Sequence, residues 1–231
     1  MASIDDGEKL RFENVGLYDG LFVMQSSESK TLWNHISGEA MYGPHVGRTL
    51  GPVGNLRQVT VEEALELDPG MEVAISDRPY TSGGRSSVPG QGNLGDDARL
   101  MDMFIETLGE EDTRRPRMDM GLGIWTEGTR RYYPMEEIRA RDGAFVDRLE
   151  GRNVLIFIEP RSATPTAIFV DAGGATVDGD EIRLDSGDVV RSGVLFDVDG
   201  NRQVTGEMPQ QIFTRWYGYS LTFPGAEVFG Q

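Results

Sequence analysis

The chain of 231 residues has no cysteine. Disulfides, thiolate metal sites and cysteine nucleophiles are therefore excluded, although the absence does not fix a redox compartment. Lysine is scarce as well: Lys9 and Lys30 are the only lysines among 22 basic residues. No purely apolar run is longer than residues 154–158, far too short to cross a bilayer. Residues 1–7 are neither basic nor apolar enough for a secretory signal, so the chain is expected to stay where it is made, in the cytoplasm. A formal net charge of −16 repels phosphate backbones and anionic membranes, and no basic patch offsets it. Neither nucleic acid nor membrane is expected as a partner. Acid in excess, with arginine in place of lysine, fits either a salt-adapted organism or the arginine codons of a GC-rich genome.

What is present describes a globular protein long enough to bury a core as one large domain or two small ones. Leu10 and Phe12 alternate with Lys9 and Arg11, and Leu21, Phe22 and Val23 follow the turn Tyr18-Asp19-Gly20, a pattern of strands joined by glycine turns. Thr60 and Glu63 make a capping box for a short helix bearing Val61, Ala64 and Leu65, stopped by Asp68-Pro69-Gly70. Residues 71–75 read as a strand, 80–97 as a mobile Gly, Ser and Pro-rich loop, and 98–108 as a helix burying Leu100, Met101, Phe104, Ile105 and Leu108. Strand patterns then dominate at 121–125, 130–133, 154–158, 167–170, 181–184 and 189–198. The expected fold is mainly β, a β-rich α+β arrangement with a few short peripheral helices. Its expected segments are a first β-unit with the candidate site over 1–76, a mobile loop and helix over 77–118, and a second β-rich unit over 119–231, packed as one compact structural domain.

An internal echo bears on the architecture. Gly7-Glu8-Lys9-Leu10-Arg11-Phe12 is answered by Gly179-Asp180-Glu181-Ile182-Arg183-Leu184, Gly20-Leu21-Phe22-Val23 by Gly193-Val194-Leu195-Phe196, and Pro69-Gly70-Met71-Glu72-Val73 by Pro224-Gly225-Ala226-Glu227-Val228. Either two β-units are duplicated, their strand pairs superposing, or hairpins with glycine turns look alike by chance.

Chemistry-bearing residues concentrate in residues 31–50, TLWNHISGEAMYGPHVGRTL, which hold both histidines and one of three tryptophans. Trp33 and Tyr42 supply stacking area, Arg48 a cation, and the glycines at 38, 43 and 47 with Pro44 let backbone approach a ligand. His35, Glu39 and His45 are imidazole and carboxylate donors that could hold zinc, copper or iron with one position open for water. Their spacing matches no metal motif, and hydrogen-bonded loop or core histidines explain them more simply. On a later strand, Arg130 and Tyr132 offer a cation and a ring to a planar or acidic ligand, or ordinary sheet surface.

This stretch carries a family likeness. Residues 17–50, with Lys30-Thr31-Leu32-Trp33, Gly38-Glu39-Ala40 and Gly43-Pro44, resemble the signature of the bacterial and archaeal family designated domain of unknown function 3179, which has serine where Lys30 stands. Residues 104–108, Arg114-Arg115-Pro116-Arg117 and residues 121–134 are similar to that family's later segment. The resemblance implies a fold and no assigned activity. Family members carry a cysteine-containing segment ahead of the strand corresponding to residues 9–12, and many have an export signal or anchor; this chain shows neither, so a thiol role does not carry over.

Other mechanisms find little support. The paired acids, such as Asp96-Asp97 and Glu136-Glu137, suit surface and turn positions. Asp197-Val198-Asp199-Gly200-Asn201 begins like a calcium loop but lacks the downstream glutamate, and a hairpin turn at Asp199-Gly200 explains it better. No Gly-x-Ser-x-Gly elbow, Walker lysine or full dinucleotide fingerprint is present, so no nucleotide cofactor is expected, while a divalent metal stays open. Arg114, Arg115 and Arg117 beside Glu110, Glu111 and Asp112 read as a solvated turn, and Trp216, Tyr217, Tyr219, Phe213 and Phe223 as core. Two functions remain. One is a binding domain for a small molecule or protein partner at Trp33, Tyr42 and Arg48; the other is a hydrolase using His35 or His45 with Glu39 as general base or metal ligands.

Overall fold

The computed structural model describes residues 2–3, 9–51, 55, 58–72, 100–203 and 208–231. In chain order they form β1 (Ala2–Ser3), β2 (Lys9–Leu10), β3 (Phe12–Tyr18), β4 (Leu21–Ser26), β5 (Leu32–Asn34), β6 (Ala40–Tyr42), α1 (Val61–Leu67), α2 (Asp102–Ile105), β7 (Met120–Trp125), β8 (Arg130–Pro134), α3 (Met135–Arg139) and β9 (Ala144–Leu149). There follow β10 (Arg152–Ile158), β11 (Pro165–Phe169), β12 (Ala175–Asp178), β13 (Glu181–Leu184), β14 (Val189–Arg191), β15 (Val194–Phe196), β16 (Gln210–Arg215), α4 (Trp216–Thr222) and β17 (Glu227–Val228). The fold is mainly β with a few short helices. No helix among the described residues is long and apolar enough to cross a membrane.

Two compact units are present: Met1–Leu56, Asp102–Glu137 and Pro209–Gln231 form the first, Arg57–Met101 and Ile138–Met208 the second. Each is discontinuous in sequence, in contrast to the consecutive segments 1–76, 77–118 and 119–231. The cause is strand pairing. β16 lies antiparallel on β7 and β17 parallel on β8, so the end of the chain completes a sheet begun in its middle.

In the first unit β3, β4, β5 and β6 form an antiparallel meander, and β16, β7, β8 and β17 a second sheet. Asp19 and Gly20, both at positive φ (51° and 68°), close the β3–β4 hairpin with the turn geometry that matches strand twist. A cluster of Tyr132, Trp216, Tyr219 and Phe223 fills the space beneath the second sheet. Gly123 is glycine for this reason: a Cβ there would stand 2.2 Å from the Tyr219 ring, whose hydroxyl donates to the Ile124 carbonyl. The expected helix over 98–108 is confined, among the described residues, to Asp102–Ile105. Its continuation is diverted to the β3–β4 turn, where the Thr107 carbonyl accepts from Asp19 N (3.1 Å) and its hydroxyl from Gly20 N (3.1 Å).

The second unit pairs the sheet β9–β10–β11 with the meander β12–β13–β14–β15. Leu155 and Phe157 of β10 point into a cluster with Ile168, Ile182, Leu184 and Val190, and the alternate residues Val154 and Ile156 are equally buried. A strand covered on both faces loses its polar alternation, which is why 154–158 is the longest apolar run. α1 begins at the expected capping box, Glu63 N donating to Thr60 Oγ1 (3.2 Å) and Thr60 N to Glu63 Oε2 (2.7 Å). Arg161 ties it down through Glu62 (2.9 Å) and Glu66 (2.6 Å).

The duplication does not survive the topology. Of residues 9–12, which echo β13, Lys9 and Leu10 form β2, paired with β1, and only Phe12 belongs to β3, which is antiparallel to β4, the echo of β15. Their sequence counterparts β13 and β15 are separated by β14 and run parallel to one another. Ser192 and Gly193, at φ 46° and 64°, also split the expected strand over 189–198 into β14 and β15. What the segments share is a glycine turn. The expected loop over 80–97 and most of the expected strand over 71–75 lie outside the described residues, and Met71 and Glu72 are not in a strand.

Candidate functional site

Residues 31–50 form a hairpin with two turns. At the end of β5 the Asn34 carboxamide oxygen accepts from Ile36 N (2.8 Å) and Ser37 N (3.1 Å), and Gly38, at φ 74°, redirects the chain into β6. A second turn carries Gly43 at φ 110° and Gly47 at φ 89°, with Arg48 N donating to the His45 carbonyl (3.0 Å). The chain then returns alongside β6, Ala40 N bonding to the Arg48 carbonyl (3.0 Å) and Glu39 bridging Thr49. Gly43 also lets this turn settle on Thr31, since a Cβ there would lie 2.9 Å from Thr31 Cα. Thr31 is fully buried, and its hydroxyl accepts from Ser29 Oγ (2.8 Å), which in turn meets Ser26 Oγ. This hydroxyl cluster was not read from the sequence, where Ser-x-x-Ser looks like any polar turn.

Trp33 is fully buried and packs with Leu10 and Ala40 against Phe12, Met24 and Leu50. The His45 ring meets it edge-on, centroids 5.9 Å apart. Both rings carry a buried nitrogen, Trp33 Nε1 and His45 Nδ1, with no hydrogen-bond partner, and in this unit no other described side chain does. A buried polar atom left unpaired costs about 1–3 kcal/mol. Indole N–H only donates, whereas imidazole Nδ1 accepts or donates according to tautomer.

The other expected members are placed elsewhere. His35 is exposed in the first turn, and its Nδ1 lies 2.8 Å from the Phe22 carbonyl, to which it donates. The Glu39 side chain is exposed. His35 and His45 occupy turns at opposite ends of β6, and among the described residues no three His, Cys, Asp or Glu side chains gather as metal ligands. The set His35, Glu39 and His45 is therefore not assembled, as either a metal site or a catalytic trio. Gly38 is the physical reason, because it ends any helical spacing between 35 and 39. Tyr42 is 73% exposed and pairs across the strands with Leu32, while Trp33 pairs with Ala40, so the two rings occupy opposite faces of the sheet. They do not line one pocket. Arg48 is half-buried in the second turn.

Arg130 and Tyr132 separate in the same way. Arg130 is exposed and donates to the Glu127 carbonyl (3.0 Å), closing the β7–β8 turn. Tyr132 is wholly buried, with its hydroxyl 2.8 Å from the Asp119 carbonyl and 3.0 Å from that of Thr214. Burial pushes its phenol far above the ordinary range, so it is a neutral core residue and not a ligand contact. The arginines of the acidic turn are paired: Arg117 with Glu111 (2.6 Å) and Arg114 with Asp112 (2.6 Å). These hydrogen bonds hold both carboxyls below their usual range. Asp197 closes its own loop, accepting from Asp199 N (3.0 Å) and Asn201 N (2.8 Å), and Gly200 turns there at φ 79°.

Three clefts among the described residues are lined by other parts of the chain. One of about 430 Å3 is bounded by Asp112, Arg115, Trp216 and Tyr217, and one of about 500 Å3 by Tyr18, Asp19, Gly109 and Pro224. The largest, about 730 Å3, belongs to the second unit. No family model, curated protein or solved structure matches the chain.

Proposed function

We propose that the first unit is a non-catalytic binding domain for a small polar molecule, held at the second turn of the hairpin where the His45 ring meets Trp33. The observation that carries this reading is the pair of buried, unpartnered nitrogens on two rings in contact. A ligand group able to accept from Trp33 Nε1 and to exchange a hydrogen bond with His45 Nδ1 removes both penalties at once. Arg48, on the same turn, provides a charged neighbour. The hydrolase reading has less support: a general base needs an orienting partner and a nucleophile or water within reach, and His35 is committed to a carbonyl while Glu39 faces solvent. The resemblance to domain of unknown function 3179 rests on this same hairpin, through Trp33, Gly38-Glu39-Ala40 and Gly43-Pro44, and is kept as the family assignment within the proposal. At a net charge of −16 the reading includes neither nucleic acid nor an anionic membrane as partner, and no nucleotide cofactor.

The test is a fragment screen by NMR that follows the Trp33 indole N–H resonance. At least one small polar molecule should move it saturably in the native chain and fail to do so in His45→Ala. A diverse library that leaves the resonance in place refutes the reading. Ester or phosphate turnover that disappears in His35→Ala would favour the hydrolase instead.

A further inference from the structure

Acidic residues recur throughout this chain, yet none occurs from Ala40 to Val61, its longest stretch without one. The second turn of the hairpin, residues 43–48, lies in that stretch and holds His45 and Arg48. Backbone ties the two together, Arg48 N donating to the His45 carbonyl (3.0 Å). In a chain of net charge −16 this is the part of the sequence where an anion meets the least repulsion.

The unanswered nitrogens narrow the choice of ligand. Trp33 Nε1 and His45 Nδ1 do not bond one another, although their ring centroids are 5.9 Å apart. An indole N–H donates and never accepts, so whatever answers Trp33 presents an acceptor. Imidazole Nδ1 donates as well, in its Nδ1–H tautomer or as imidazolium. A carboxylate carries two accepting oxygens in one plane, so a single group answers both nitrogens. Hydrogen bonds to an ionised acceptor are roughly twice as strong as neutral ones. A dianion would bury a second negative charge against the one guanidinium of the turn, which is costlier still. A cation would find no carboxylate on the turn and would leave the indole donor unanswered.

We infer that the Trp33–His45 site takes a small monocarboxylate, one oxygen accepting from Trp33 Nε1 and the other from His45 Nδ1, with Arg48 as counter-charge. This rests on the reading of the first unit as a binding domain and names its ligand class. Trp33 is fully buried, so only the end of a ligand reaches its nitrogen, and a terminal carboxylate is such an end. Because a carboxylate only accepts, it fixes His45 with a proton on Nδ1.

The test is a heteronuclear NMR titration of the full chain that reads the Trp33 indole N–H and the His45 ring nitrogens. Sodium acetate and sodium propionate are the probes, and sodium chloride, inorganic phosphate, acetamide and methylammonium chloride are the comparators at the same ionic strength. Acetate or propionate should move the indole resonance saturably and bring His45 Nδ1 into the protonated range. Arg48→Gln should weaken that binding about tenfold. His45→Gln serves as a second variant if Arg48→Gln does not fold. Arg11→Gln removes an equal charge from an exposed position and should leave binding unchanged. An equal response to chloride or phosphate, an unprotonated His45 Nδ1 with acetate bound, or undiminished binding in the site variants overturns the inference. A saturable response to acetamide or methylammonium alone overturns it too, and leaves the Trp33–His45 reading in place. Silence with every probe also overturns it, and the reading falls as well when the fragment library is silent.

Discussion

The two meanders, β3–β6 in the first unit and β12–β15 in the second, share four antiparallel strands in chain order and tight turns with two residues at positive φ. Beneath them they differ. The meander of the second unit contributes Ile182, Leu184 and Val190 to a nine-residue, mostly aliphatic cluster. That of the first unit is organised around one ring, Trp33, with Leu10 and Ala40 as its buried companions. Aliphatic side chains leave no polar atom behind when buried, whereas a buried indole brings a donor that must be answered. The comparison teaches that turn chemistry sets the topology and that the identity of the buried side chain decides whether a sheet is only structural or also has a binding need.

Substitution should break the likeness most sharply at Trp33. Removing that ring empties a small cluster, and Trp33→Ala should lose about 3–5 kcal/mol of stability in urea unfolding. In the second unit Ile182 and Val190 face one another across β13 and β14. Exchanging them, Ile182→Val with Val190→Ile, conserves volume within a shared cluster and should cost less than about 1.5 kcal/mol. Comparable losses in the two experiments would mean that the first unit distributes its core as the second does.

The turns sharpen the contrast. Gly20 and Gly179 have nearly the same φ, 68° and 62°, so the backbone strain of an added Cβ is the same. At Gly179 that Cβ meets open space, but at Gly20 it lies 2.7 Å from Leu108 and 3.0 Å from the Tyr217 ring. Gly179→Ala should therefore cost about 1 kcal/mol and Gly20→Ala about 2–3, strain plus overpacking. Equal midpoints for the two variants would remove the packing role of Gly20.

Sequence reading succeeded where local chemistry dictates local structure. Thr60 with Glu63 marks the start of α1, short apolar or β-rich runs between Gly and Asp turns mark β7, β8, β10 and β13, and Asp199-Gly200 marks a turn. It failed where distant contacts intervene. The turn at Asp19-Gly20 takes the backbone beyond α2, and the aromatic Tyr132 joins a core that only α4 completes. Of the candidate site, proximity of Trp33 and His45 was legible because both lie in one short hairpin. That Tyr42 faces away from Trp33 was not legible, because a register shift between Leu32 and Trp33 changes which residues of β6 oppose them.

Charge contributes less than packing. In the first unit Glu111 is held below its ordinary value of 4.5 by hydrogen bonding to Arg117. A carboxyl depressed in the folded state stabilises above its unfolded pKa and loses that contribution as pH falls through the folded value. Arg117→Ala should thus cost below about 1 kcal/mol at pH 7, the pair being partly exposed, and the difference from the native chain should shrink as the pH falls below the ordinary value of that carboxyl. Melting curves of Arg117→Ala and of the native chain across pH 3–7 check this, and a gap that stays constant over that range would refute it.

The smallest expected effect is that of salt. Most ion pairs here lie at the surface, among them Arg183 with Asp178 (2.7 Å) and Arg11 with Glu28 (3.4 Å), and such pairs contribute little each. Added ions weaken them. They also screen the repulsion among acids that outnumber bases 38 to 22, which acts over many more charge pairs than the bridges do. With a Debye length of about 10 Å at 0.1 M and about 3 Å at 1 M, repulsion across a unit is reduced before contacts at hydrogen-bond distance are. Melting temperature should therefore rise by a few degrees between low and molar KCl, and more steeply at pH 7 than at pH 4, where fewer acids are charged. Removing the surface pairs with Arg11→Gln and Arg183→Gln should leave the slope in place. A flat or falling curve at pH 7 would show that the pairs, and not the net charge, govern the stability of this acidic surface.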